Sequence, residues 1–103
     1  MILKDGTKFS DLDSAIIFAA IVADGVWREM GVETGATLTS GTDGEHSSGS
    51  LHYEGLAVDI RIWNLPRGED DAPEAARMLR ERLTSDYDVV VESTHVHLEY
   101  DPQ

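Results

Sequence analysis

Two segments alternate so regularly between apolar and polar residues that they leave the fold little freedom. Residues 56–63 read LAVDIRIW and residues 95–100 read HVHLEY. A strand sends successive side chains to opposite faces. Val58, Ile60 and Ile62 therefore share one face of the first segment, with Ala57, Asp59, Arg61 and Trp63 on the other. In the second, Val96, Leu98 and Tyr100 oppose His95, His97 and Glu99. A slip of one residue would exchange the faces, so burying the apolar ones fixes the pairing register. The polar faces left over carry side chains that bind metals.

The rest of the chain supplies something to bury those apolar faces against. Leu12, Ile16, Ala19, Ala20, Ala23, Trp27 and Met30 recur at three- and four-residue steps. This spacing predicts an amphipathic helix over about residues 11–30, with Trp27 and Met30 in the core. Ser10 with Asp13 three residues on resembles a capping box, and Gly31 closes the helix. Residues 32–50 are rich in Gly, Thr and Ser and read as loop, with a short strand over residues 36–39. Asn64 to Gly68 ends the first alternating segment. Asp71, with Glu74 three residues later and Pro73 in the first turn, starts a second helix, whose stripe is Ala75, Ala76, Leu79 and Leu83. Residues 87–91 (YDVVV) read as a further strand. Late strands without a helix between them favour an α+β fold, a small mostly antiparallel sheet packed on two helices. At 103 residues, one domain spanning residues 1–103 is expected.

Composition narrows the partners. Lys and Arg number 8 against 20 Asp and Glu, a formal charge of -12. No large basic patch can form, so nucleic acid and anionic membranes are poor partners, and a cation is a good one. With no cysteine, disulfides, thiolate zinc sites and a cysteine nucleophile are excluded. The N-terminus does not read as a signal peptide, and no apolar run reaches spanning length. A monomer is expected.

The candidate chemistry gathers in two stretches. His52 precedes a turn at Gly55, and Asp59 follows inside the strand. A carboxylate between Val58 and Ile60 needs a partner, either a metal or a cation such as Arg61. His95 and His97 share a strand face, with Glu92 just before them. Two histidines, an aspartate and a glutamate suit zinc better than calcium, which prefers oxygen ligands. Arg61 either binds a substrate carboxylate or pairs with Asp59 or Glu99. Ser50 suits a hydrogen-bonding support better than a nucleophile, since no base is patterned for it, and His46 reads as a loop residue. The acidic runs at residues 69–71 and 86–88 read as a cap and a solvated turn.

These residues carry a resemblance. Ser50-x-His52-x-x-Gly55-x-Ala57-x-Asp59, followed by Glu92-x-x-His95-x-His97, resembles the zinc peptidases of the M15 type. That group includes D-Ala-D-Ala carboxypeptidases and phage endolysins that cut L-alanyl-D-glutamate bonds, and it shares a fold with the hedgehog signalling domain. The resemblance covers about residues 39–102. It implies a hedgehog/DD-peptidase-like fold and a zinc held by His52, Asp59 and His97. It also implies Glu92 as catalytic base and His95 as the histidine that stabilises the oxyanion. The expected activity is hydrolysis of peptidoglycan stem peptides or soluble muropeptides, with Ser50 and Arg61 on the substrate side. The expected setting is cytoplasmic or phage-encoded, reaching the wall after release. The alternative is a non-enzymatic zinc-binding interaction or signalling module of the same fold.

Overall fold

The structure is a computed structural model that describes residues 1–41 and 55–102. Ser50, His52, His46 and the loop expected over residues 42–50 lie outside the described residues. In chain order the elements are β1 (Ile2–Leu3), α1 (Ser14–Glu29), β2 (Thr37–Ser40), β3 (Ala57–Arg61), α2 (Ala72–Arg82), β4 (Tyr87–Val91) and β5 (His95–Tyr100). The strands form one sheet in the order β1-β2-β3-β5-β4. β1 runs parallel to β2, and the other pairings are antiparallel. The fold is thus α+β, a five-stranded mixed sheet with two helices. β1 is an addition that two residues of sequence could not signal.

The helix starts differ from expectation for local reasons. α1 begins at Ser14, three residues later than expected. Asp11 sits at φ +64°, a left-handed conformation that a right-handed helix cannot include. Asp13 is the cap instead of Ser10, and its carboxylate accepts from the Ala15 N–H at 2.9 Å. Gly31, at φ +105°, follows the helix end as expected. Asp71 precedes α2 without capping it. Its buried carboxylate accepts from the backbone N–H and the Nε–H of Arg67 at 2.8 and 2.9 Å, across a single 3-10 turn (Gly68–Asp71).

The apolar faces are buried as the alternation requires. Val58, Ile60, Val96 and Leu98 are inaccessible to solvent, packed with Ile16, Ala19, Ala23 and Trp27 of α1 and Ala75, Ala76 and Leu79 of α2. The alanine stripes let both helices approach the small sheet closely. Ile62 stays in the core although β3 ends at Arg61.

One glycine joins the strand to the helix. Gly55 has φ +73°, and a Cβ there would lie 2.2 Å from the Asp11 carbonyl oxygen. Its own carbonyl accepts from the Asp13 N–H at 2.9 Å. The close approach that excludes a side chain is to the head of α1.

Candidate functional site

The pairing of β3 with β5 builds the site. Asp59 lies opposite His97 and Arg61 opposite His95, so all four share the sheet face turned away from the helices. The Asp59 Oδ1 is 2.9 Å from His97 Nδ1 and 3.5 Å from His95 Nε2. A register irregularity between β2 and β3 sets Ser40 beside Asp59 on the other side. Asp59 is buried, and the His97 side chain is 18% exposed.

His97 is held at both nitrogens. Nδ1 meets Asp59, and Nε2 meets Glu99 Oε1 at 2.8 Å. A neutral imidazole has one N–H and can donate to only one of two carboxylates. The nitrogen that does not donate needs a second proton or a metal. In the metal-free protein the Asp59 hydrogen bond raises the His97 pKa above its ordinary value, with Glu99 adding to it and partial burial opposing it.

Asp59 and His97 offer an oxygen and a nitrogen donor that could hold a metal ion. Glu99 on Nε2 then has the place of an outer carboxylate that fixes the ring and leaves Nδ1 as ligand.

His95 is oriented as well. The Thr94 Oγ1 lies 3.0 Å from its Nδ1. A hydroxyl donating there leaves the ring proton on Nε2, the nitrogen directed toward Asp59. Glu92 closes the β4–β5 hairpin, its N–H donating to the His95 carbonyl at 2.8 Å. Val91, 39% exposed at the end of β4, pairs with the buried Val96. Glu92 itself is exposed, one residue past the end of β4.

Arg61 pairs with neither Asp59 nor Glu99. Its guanidinium lies over the Trp63 ring, 4.4 Å from the centroid. Beneath it, the Arg61 carbonyl accepts from the Trp27 indole N–H at 3.1 Å, fixing this end of β3 to α1. Trp63 and Arg61 border a cleft of about 330 Å³ with Lys4, Thr39, Thr94 and His95.

A second group went unnoticed in the sequence. Asp88, Glu99 and Asp101 have carboxylate oxygens within 4.8 Å of one another, and this acidic group could hold a metal ion. Asp88 lies opposite Glu99 across β4 and β5. The two lie eleven positions apart in the chain, so only the strand register reveals the pair. An all-oxygen set favours a hard cation over zinc. Glu99 links this group to His97.

No protein-family model matches the chain, and no curated protein matches it significantly.

Proposed function

We propose that the chain is a zinc-dependent peptidase that hydrolyses peptide bonds in peptidoglycan stem peptides, of the M15 type and with a hedgehog/DD-peptidase-like fold. The observation that carries this reading is the convergence of Asp59, His95 and His97 on one sheet face, with Glu92 at the adjoining hairpin. His52, Asp59 and His97 would hold the metal. Bound zinc supplies a Lewis acid for the scissile carbonyl and lowers the pKa of water toward 7.

The remaining steps belong to side chains. Glu92 accepts a proton from the attacking water at a carboxylate oxygen and passes it to the leaving amine. His95, protonated on Nε2, donates to the oxygen on which negative charge develops, a contribution of about 3 kcal/mol where such donors have been removed. Ser50 and Arg61 face the substrate. Free muropeptides are suitable substrates for so acidic a chain, and a phage-encoded protein would reach the wall after release.

The test combines metal analysis with digestion. Protein purified without chelator should hold about one zinc per chain, and alanine at His52, Asp59 or His97 should remove it. Purified peptidoglycan should yield stem-peptide fragments by mass spectrometry. A metal-free wild type overturns the reading. Zinc bound without hydrolysis of any stem peptide replaces it with the non-enzymatic zinc-binding module.

A further inference from the structure

The cations of this chain are distributed unevenly. Arg28, Arg67, Arg77 and Arg82 pair with Asp24, Asp71, Glu74 with Glu81, and Glu29 respectively. Arg80 donates to the Val89 carbonyl, and Lys4 and Arg61 likewise have no carboxylate partner among the described residues. Carboxylates outnumber Lys and Arg by 20 to 8, so two unpartnered cations in one place are not explained by a shortage of acids. Both line the same cleft of about 330 Å³.

The cleft is otherwise arranged for a small anion. Thr39 adds a hydroxyl and Trp63 an apolar wall, while Thr94 and His95, bonded to each other, close the side toward Asp59. The guanidinium is preorganised, stacked on Trp63 with its backbone tied to Trp27. A planar guanidinium offers parallel N–H donors that match a carboxylate. We infer that this cleft, bounded by Lys4, Arg61, Trp63 and Thr94, is a carboxylate-binding subsite.

Its distance from Asp59 specifies the ligand further. Arg61 lies two residues along β3 from Asp59, about 7 Å of strand. Two extended peptide residues span the same length. A carboxylate seated on Arg61 therefore belongs to a peptide whose reacting bond, over Asp59 and His97, is one or two residues away. That carboxylate is either a chain terminus or an acidic side chain. The bearer's identity rests on the peptidase reading, whereas the anion site stands on the cleft alone.

The experiment is titration of the isotopically labelled full chain, followed by NMR. The probes are N-acetyl-D-alanine, N-acetyl-D-alanine amide, N-acetyl-D-glutamic acid α-amide and inorganic phosphate. At least one of the two carboxylates should shift the Trp63 indole, Arg61 Nε and Thr94 signals, and whichever binds more tightly identifies terminus or side chain. The uncharged amide should bind at least about tenfold more weakly, as expected on losing a charged hydrogen-bonded contact. Arg61→Gln should weaken the carboxylate by a similar factor, and Lys4→Gln by less. Equal binding of the amide, no effect of Arg61→Gln, or no binding at all overturns the subsite. Phosphate binding as tightly as either carboxylate reduces it to a generic anion site and overturns it as well. Failure of the peptidase reading looks different: carboxylate binding persists in the cleft while no stem peptide is cleaved.

Discussion

The two faces of the sheet are made from the same strands and obey opposite rules. On the helix side, Val58, Ile60, Val96 and Leu98 are wholly buried among aliphatic and aromatic groups. Their contribution is non-directional, roughly proportional to the apolar area removed from water. On the other side, Asp59, His95, His97 and Glu99 are held by specific hydrogen bonds and ion pairs. There, each contact has a partner, a distance and a protonation state. The difference teaches that a small sheet can separate stability from chemistry by residue parity, since neighbours in sequence serve different faces.

The sharpest way to break that separation is at Glu92. Glu92→Gln keeps size and loses basicity, so kcat should fall about 10²–10⁴-fold, with zinc content and KM nearly unchanged. That corresponds to roughly 2.7–5.5 kcal/mol of barrier. Stem-peptide hydrolysis at matched zinc occupancy reads it. A rate equal to wild type removes Glu92 from the mechanism.

Next in size is a change on the buried face. Ile60→Ala should destabilise the fold by about 2–5 kcal/mol, through lost transfer energy and the cavity left behind. His95→Ala, on the half-buried polar face, should destabilise far less. Urea denaturation of both variants measures the contrast, and equal losses would dissolve the distinction between the faces.

Glu99 tests whether the polar face is organised beyond its ligands. Glu99→Gln leaves Asp59 and His97 in place but weakens the acceptor on His97 Nε2. Zinc affinity should fall about 10–100-fold, as when outer partners of ligating histidines are lost. Competition with a chromophoric chelator reports this without any activity assay. An unchanged affinity would make Glu99 part of the Asp88–Asp101 group alone.

The smallest effect is that of pH on the metal-free protein. The folded His97 pKa lies above the ordinary 6.5, first because of its bond to Asp59. The folded state therefore holds the proton more tightly than the unfolded chain. This stabilisation is fully present below 6.5 and is lost as pH rises through the raised folded value. Urea midpoints in EDTA should decline across that window, and Asp59→Asn should flatten the decline. A zinc held as proposed would reverse the preference, because it would compete with the proton on His97 and bind more tightly as pH rises.

The sequence by itself determined both helices, the three longer strands of the sheet and the parity of every residue on β3 and β5. Those follow from the 3.6- and two-residue periods, which are local. It also placed Asp59, His95 and His97 on polar faces before any pairing was known. Tertiary structure decided the rest, because the remaining questions concern residues far apart in the chain. Register put Asp59 opposite His97 and Asp88 opposite Glu99. Local dihedrals at Asp11 moved the helix start to Ser14, a steric fact that capping patterns do not encode. Arg61 could have paired with Asp59 or Glu99, its neighbours on the same face. It stacks on Trp63 instead and lines a cleft with Lys4, because the last side chain of a strand meets the one two residues beyond only once the backbone there is fixed.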